Sequence, residues 1–96
     1  MSNITFAWDP RKARNDLAKH GVSFEEAQSV FLDGKAVLID DPDHSDEERR
    51  FVIPGYTSHA RCLIVSHCYL EDDSVIRLIS ARKATTREEK DYWRKQ

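Results

Sequence analysis

The pattern of hydrophobic and polar positions is helical over the first third of the chain and strand-like beyond residue 34. A short apolar segment at residues 6–8 predicts a strand. It is followed by Asp9 and Pro10, which suit the N-cap and the first position of a helix. This helix is predicted to run to about His20 and to end at Gly21, because glycine readily adopts the left-handed backbone found after many helices.

A second helix is predicted to begin almost at once. Ser23 and Glu26 have the spacing of a capping box, in which each residue binds the backbone N–H of the other. Phe24, Ala27 and Phe31 fall on one face at helical spacing. Two short helices joined by two residues predict a helical hairpin.

Apolar runs separated by turn residues follow from residue 35 onward. They predict four strands, over residues 35–40, 49–56, 61–69 and 75–83. Thr85 or Thr86, with Glu88 or Glu89 three residues on, then marks the start of a C-terminal helix. Consecutive strands joined by short turns favour an antiparallel sheet. We therefore predict one α+β domain over residues 1–96, with the hairpin covering one face of the sheet and the other face open for a site.

Charge is segregated along a chain whose formal net charge is −2. Residues 40–48, DDPDHSDEE, carry six acids, whereas residues 77–95 carry seven cations and three acids. Such a separation can give one positive surface that attracts an anion, and ordinary solvated surface is an equal explanation. The overall balance is not that of a generally basic nucleic-acid-binding protein.

The sequence also indicates the cellular compartment of the protein and the state of its two cysteines. It shows neither a signal peptide nor an apolar stretch of membrane-spanning length. Cys62 and Cys68 lie on one predicted strand, too far apart to bridge each other. We interpret both as buried apolar residues of a protein in the reducing cytoplasm.

Cations interrupt the last predicted strand, which otherwise has the composition of a core strand. Strand alternation places Leu78 and Arg82 on one face and Arg77 and Lys83 on the other. Pairing with the preceding strand would bring His67 near Arg77, and an arginine beside a histidine suits a phosphodiester. Alternatives stay open: an ion pair with an acid for Arg77, a core position for His67, and solvated cations at the strand end.

Metal and cofactor chemistry find little support in the sequence. The histidines and cysteines have no paired ligand spacing, and the acidic residues 40–48 lack the glycine of a calcium loop. Neither a G-x-S-x-G elbow nor a glycine-rich phosphate loop occurs. We predict neither a metal nor a cofactor.

Three long stretches resemble a known family. They are FAWDPRKARNDLAKHGVSFEEAQSVFLDG at residues 6–34, DEERRFVIPGY at 46–56 and VIRLISARKATTREEKDYW at 75–93. In this order, and over nearly the whole chain, they resemble the BrnT family of type II toxin–antitoxin toxins, which is similar to the RelE-like ribonucleases. The resemblance implies a small antiparallel sheet with an N-terminal helical hairpin, and RNA cleavage on the open face of the sheet.

The resemblance also implies roles for individual residues. Arg82 or Lys83 lies at the end of the last strand, where RelE-like toxins place a cation against the scissile phosphate. Only Lys35 is found where some relatives carry a lysine pair, so His67 is the substitute candidate for the general base. The implied catalytic residues are Arg82, His67, Arg77 and Tyr92, the last as a catalytic or stacking aromatic. The implied RNA-binding residues are Arg50, Lys83, Lys19 and Arg87.

A metal-independent endoribonuclease, a hydrolase that arrests translation, is the activity that the resemblance implies. The ribose 2′-hydroxyl would attack the adjacent phosphorus, so DNA should resist cleavage. The implied partner is a BrnA-type antitoxin with a ribbon–helix–helix DNA-binding fold, in a heterotetramer of two toxins and two antitoxins. The toxin itself would contact neither DNA nor a membrane. The alternatives are a degenerate toxin that only binds RNA or its antitoxin, and a purely structural partner subunit.

Overall fold

Five strands and three helices form the computed structural model, which describes residues 4–41 and 49–96. The strands are β1 (Thr5–Ala7), β2 (Ile39–Asp40), β3 (Phe51–Tyr56), β4 (Cys62–Leu70) and β5 (Val75–Lys83). The helices are α1 (Pro10–His20), α2 (Phe24–Gln28), which continues as a 3₁₀ turn over Ser29–Leu32, and α3 (Thr86–Arg94). The strand predicted over residues 35–40 is therefore formed only at its end. Most of the acidic segment 40–48 lies outside the described residues.

The strands form one mixed sheet in the order β1-β5-β4-β3-β2. The pairs from β2 to β5 are antiparallel, as predicted. The prediction of a wholly antiparallel sheet is wrong at one edge, because β1 pairs in parallel with β5, with Thr5 opposite Val75. Parallel partners are distant in sequence and have no turn between them, so no local signal indicates the pairing.

A β-bulge interrupts the pairing of β4 with β5. Ser66 faces Ser80 and His67 faces Leu78, so Ile79 is the extra residue on β5. The bulge corrects the alternation predicted for β5, because a single extra residue shifts the face of every residue beyond it. Leu78 is buried in the core together with Ala81, whereas Arg82 lies on the opposite, open face.

Helix caps follow the sequence signals at three of the predicted ends. Asp9 accepts a hydrogen bond from the backbone N–H of Arg11 at 2.9 Å, and Gly21 ends α1 with φ 70°. Thr85 and Glu88 form the predicted capping box of α3. At α2, Ser23 accepts from the backbone N–H of Glu26, but the carboxylate of Glu26 binds other partners. Only half of that predicted box is therefore present.

The hydrophobic core lies between the two N-terminal helices and one face of the sheet. Its buried residues are Val22, Phe24, Ala27, Val30, Ile53, Leu63, Val65, Ile76, Leu78 and Ala81. Both α1 and α2 contact β5. The prediction that these helices cover one face is confirmed, and their arrangement as a hairpin stays a prediction. Neither described segment contains a helix long and apolar enough to cross a bilayer.

Close packing at Gly55 brings β3 against the 3₁₀ turn. A Cβ atom at this position would lie 2.8 Å from Val30 Cγ1 and 3.1 Å from Ala36 Cβ. Glycine is therefore required by the close approach of the two elements, not by its backbone dihedrals.

Candidate active site

A cavity of about 530 Å³ lies on the open face of the sheet, beside α3. Its floor is apolar and is formed by β3, β4 and β5 through Val52, Pro54, Ile64 and Ile79, with the hydroxyls of Ser66 and Ser80 among them. Its rim carries four cations, Lys35, Arg50, Arg82 and Lys95. It also carries four carboxylates, Asp40, Asp41, Glu88 and Asp91. The cavity thus combines an apolar floor with equal numbers of cationic and anionic side chains.

Arg82 reaches the rim of the cavity from the end of β5 and forms a bidentate ion pair with Glu88. Nη1 lies 2.8 Å from Oε1 and Nη2 lies 2.8 Å from Oε2. The bond from Arg82 is the main reason that the pKa of Glu88 falls to about 2, and the same bond raises the pKa of Arg82. Both side chains are therefore charged at neutral pH.

A contact from the opposite side of the sheet fixes the backbone next to Arg82. The N–H of Ala81, beside the bulge, donates to Oδ2 of Asp16 at 2.7 Å. Because Asp16 belongs to α1, this bond ties α1 to the strand end that carries Arg82. Asp16 belongs to no recognisable motif in the sequence, because its partner Ala81 is 65 residues away along the chain.

Tyr92 lies on α3, is buried and contributes to the wall of the cavity. Its hydroxyl donates to Oδ2 of Asp33 at 2.7 Å. Burial, together with the carboxylate of Asp33, raises the pKa of Tyr92. The same Oδ2 accepts the N–H of Tyr56 at 2.9 Å, and Oδ1 accepts the N–H of Lys35 at 3.0 Å. Burial alone would raise the pKa of Asp33, but these hydrogen bonds outweigh it and lower the pKa.

An aromatic cluster holds α3 against β3 beside the cavity. The Tyr56 hydroxyl donates to Glu89 and accepts from Nε1 of Trp93, the latter at 3.1 Å. Lys35 Nζ lies 5.5 Å from the centroid of the Trp93 ring. Trp93 itself is 51% exposed. The cluster thus positions Lys35 on the rim and leaves an aromatic surface next to it.

The structure brings together only part of the predicted site. Arg82, Tyr92 and Arg50 line the cavity. Five predicted residues do not line it: His67, Arg77, Lys83, Lys19 and Arg87. Lys83, Lys19 and Arg87 are exposed, and Lys19 belongs to the last turn of α1, beyond the other face of the sheet. The cavity instead adds Glu88, Lys95 and the two serines, none of which the sequence indicated as site residues.

His67 lies in the core and not in the cavity. It has no solvent exposure, and its ring packs edge-on against Phe31 at a centroid distance of 4.8 Å. Burial lowers its pKa to about 4. His67 lies opposite Leu78 in the pairing of β4 with β5, and Arg77 lies opposite Cys68. Strand alternation therefore puts the side chain of Arg77 on the other face of the sheet from His67, and not beside it as expected. The structure therefore places His67 in the core, the alternative that the sequence left open, and its role as the base stays an untested prediction.

Metal-ligating side chains do not gather within residues 4–41 and 49–96: no three His, Cys, Asp or Glu residues there come close enough to hold an ion. Cys62 and Cys68 are free and buried, as predicted. Burial, the largest cause, raises the pKa of Cys62 to about 11, so its thiol stays protonated at neutral pH.

Comparison with known proteins agrees with this architecture. Residues 8–88 match a family model described as the ribonuclease toxin BrnT of type II toxin–antitoxin systems. The chain belongs to the BrnT family. Its structure is similar to the crystal structure of the ribonuclease toxin BrnT of Brucella abortus, with a TM-score of 0.68 and 19% sequence identity. The similarity covers 86% of this chain and 99% of the Brucella chain. A search of curated proteins gives no match.

Family membership makes this BrnT protein a ribonuclease toxin of a type II toxin–antitoxin system, with a cognate antitoxin as its partner. The structural match, at 19% identity, supports the fold alone.

Proposed function

We propose that the chain is an endoribonuclease that cleaves RNA, without a metal ion, in the cavity between the open face of the sheet and α3. The observation that carries the proposal is the position of Arg82, which places a guanidinium on the rim of an apolar-floored cavity with three further cations. Guanidinium groups match the geometry of phosphate oxygens with two parallel hydrogen bonds. The four cations of the rim can bind the phosphates of a nucleotide and the apolar floor can contact its base, beside the four carboxylates that the same rim carries.

The proposed reaction uses the nucleophile that RNA itself carries. The ribose 2′-hydroxyl gives up its proton to water and attacks the adjacent phosphorus. The bond from phosphorus to the 5′-oxygen breaks, which leaves a 2′,3′-cyclic phosphate, and the 5′-oxygen takes up a proton from water. Negative charge accumulates on the phosphate oxygens in the transition state, where Arg82 and the neighbouring cations stabilise it. Tyr92 serves in packing and not as a proton donor, because its hydroxyl is already donated to Asp33.

A BrnA-type antitoxin is the proposed partner, and arrest of translation in the cytoplasm the proposed consequence of cleavage. Exposed apolar side chains support a protein partner. Leu32 is 86% exposed, and Val37 and Leu38 are exposed in the same part of the chain. Trp93 is exposed beside Lys35. Exposed apolar patches commonly mark protein–protein interfaces. A ribbon–helix–helix antitoxin and a heterotetramer of two toxins and two antitoxins are part of the same proposal.

The test is cleavage of an RNA oligonucleotide by purified, antitoxin-free protein in the presence of EDTA. We expect the wild type to cleave the RNA oligonucleotide at the same rate with and without EDTA. A DNA oligonucleotide should stay intact. Arg82→Ala should lose about 10²- to 10³-fold in kcat, as removal of a transition-state donor does. Arg82→Lys should recover only part of this, because lysine lacks the planar fork. Arg14→Ala, an exposed cation on α1, is the matched control and should cleave like the wild type.

One observation favours the alternative, a degenerate toxin that binds RNA without cutting it. Both terminal nitrogens of Arg82 are already paired with Glu88. If RNA binds to the wild type with an affinity that Arg82→Ala reduces, yet no cleavage occurs, the binding module is the correct description. A protein that does not bind RNA at any salt concentration would be a structural subunit instead.

A further inference from the structure

We propose that Glu88 is a positioning residue, whose carboxylate orients the guanidinium of Arg82 so that its second donor edge faces the phosphate of bound RNA. The inference rests on the proposed ribonuclease function and deepens it. Both Arg82 and Glu88 line the cavity. The ion pair is therefore part of the site and not a remote surface pair.

The carboxylate of Glu88 is itself held in place by the start of α3. Its Oε1 accepts the backbone N–H of Thr85 at 2.9 Å, and Thr85 Oγ1 accepts the backbone N–H of Glu88 at 3.1 Å. This capping box fixes the side chain on the first turn of the helix. A fixed acceptor can impose an orientation on a long, flexible arginine, which a mobile surface carboxylate cannot do.

The guanidinium of Arg82 keeps N–H groups available for a phosphate although it is paired with Glu88. It carries five N–H groups in a plane. Glu88 takes one on Nη1 and one on Nη2, and the carbonyl of Lys83 lies 3.3 Å from Nη1. The remaining edge, formed by Nε and Nη2, presents two parallel donors, which is the arrangement that binds a phosphate. Glu88 thus orients the guanidinium of Arg82 and leaves the two donors on Nε and Nη2 for a phosphate.

Glu88 has a second effect, of opposite sign, on RNA binding. Its pKa of about 2, set mainly by Arg82, keeps it ionised at neutral pH. It therefore cannot protonate the leaving 5′-oxygen, and its negative charge opposes the approach of a phosphate. A positioning carboxylate in this place should promote the chemical step and weaken binding at the same time.

The same helix face links Glu88 to Tyr92. The two residues are four positions apart on α3, so their side chains lie on one face of the helix, and both line the cavity. Arg82 is therefore docked to the part of α3 that also forms the cavity wall. This arrangement makes the ion pair sensitive to the position of α3.

The experiment compares Glu88→Gln with the wild type on a cleavable RNA oligonucleotide and on its 2′-O-methyl analogue, which lacks the nucleophile. Glutamine has the same shape and also suits the capping box, so α3 should stay formed. We expect kcat to fall about 10- to 100-fold, as loss of orientation does. We expect the Kd for the analogue to tighten severalfold, because a negative charge leaves the cavity.

Two further variants separate orientation from charge and from folding. Glu25→Gln removes the same charge from the first turn of α2, where the carboxylate is exposed and does not line the cavity; its kcat should stay near that of the wild type. Glu88→Asp keeps the charge and shortens the arm, so kcat should fall without tighter binding. Circular dichroism of each variant verifies that the protein is folded at the assay temperature.

A kcat of Glu88→Gln at or above that of the wild type would overturn the inference, since Glu88 would then block the phosphate site. Unchanged kcat and Kd would overturn it as well. A wild type that cleaves no RNA would refute the proposed function, and the inference with it. A wild type that cleaves RNA while Glu88→Gln behaves identically refutes the inference alone.

Discussion

His67 shows how a single buried side chain affects stability without taking part in the site. Its imidazole has no solvent exposure and is surrounded by the rings of Phe31, Phe51 and Tyr69. Burial disfavours the charged form and lowers the pKa from 6.5 to about 4. Between these two values the unfolded chain binds a proton that the folded protein does not. Stability therefore falls as the pH is lowered through this window.

We expect the free energy of unfolding to decrease by about 2 kcal/mol between pH 7 and pH 5 through His67 alone. His67→Leu cannot titrate and should lose correspondingly less over the same range. Urea unfolding of both proteins at the two pH values measures the difference, and the groups that they share cancel. Because His67 is outside the cavity, RNA cleavage per folded molecule should persist in His67→Leu. Equal pH dependence in both proteins would contradict the assignment.

Residue-scale features were predictable where the signal is local. The caps at Asp9, Gly21 and Thr85 need only a few neighbouring residues to be recognised, and all three are present. Arg82 was found through its place in a long motif. The side on which it lies depends on the bulge between β4 and β5, and Glu88 was visible only as a helix cap. Neither the bulge nor the ion pair leaves a pattern in the sequence.

An ion-pair network at the element scale joins α2 to the turn between β3 and β4. The carboxylate of Glu26, 7% exposed, accepts Nε of Arg61 at 2.9 Å and the Thr57 hydroxyl at 2.8 Å. Arg61 Nη2 also donates to the carbonyl of Gly21 at 3.2 Å, which adds the end of α1. The bond from Arg61 is the main reason that the pKa of Glu26 is lowered. The carboxylate thus joins α2 to the turn between β3 and β4, and Arg61 extends the network to the end of α1.

We expect Arg61→Met to lower the free energy of unfolding by about 3 kcal/mol, because it leaves the buried Glu26 without its cation. Glu26→Gln combined with Arg61→Met should cost less than the sum of the single changes, since no charge is then left unpaired. Arg49→Met is the control: its pair with Asp40 is exposed on both sides and should be worth less than about 1 kcal/mol. Urea unfolding gives all four values. A larger loss for Arg49→Met than for Arg61→Met would contradict the argument.

Elements were predictable according to how much local sequence determines them. The strand over residues 75–83 matches β5, and the antiparallel order of β2 to β5 follows from short turns. β1 is three residues long and pairs in parallel with β5, so its place in the sheet depends on the tertiary fold. The sequence predicts the wrong partner for the carboxylate of Glu26 for the same reason. A capping box depends on neighbouring residues, whereas Arg61 is brought to Glu26 by the packing of α2 on the sheet.

The cavity exists only at the scale of the whole molecule. Its lining comes from β2 and the segments on either side of it, from β3, β4 and β5, and from α3 with the C-terminal residues that follow it. A net charge of −2 gives no indication of four cations on one rim. The four cations lie close together because of the strand order and the docking of α3. The sequence could therefore supply single candidates such as Arg50 and Tyr92, but not the whole group of residues that line the cavity.

Salt dependence of RNA binding tests whether this rim acts as a unit. For single strands, the slope of log K against log salt is about −0.7 for each phosphate neutralised, so two to three contacts predict a slope of about −1.4 to −2. Lys35 lies on the rim, and we expect Lys35→Met to reduce the magnitude of the slope by about 0.7, the value for one phosphate contact. Lys12→Met, an exposed cation on α1 beyond the other face of the sheet, should leave it unchanged. Titration of the 2′-O-methyl oligonucleotide at several salt concentrations measures each slope. Equal effects of the two variants would show that RNA follows the general charge of the protein and not the cavity.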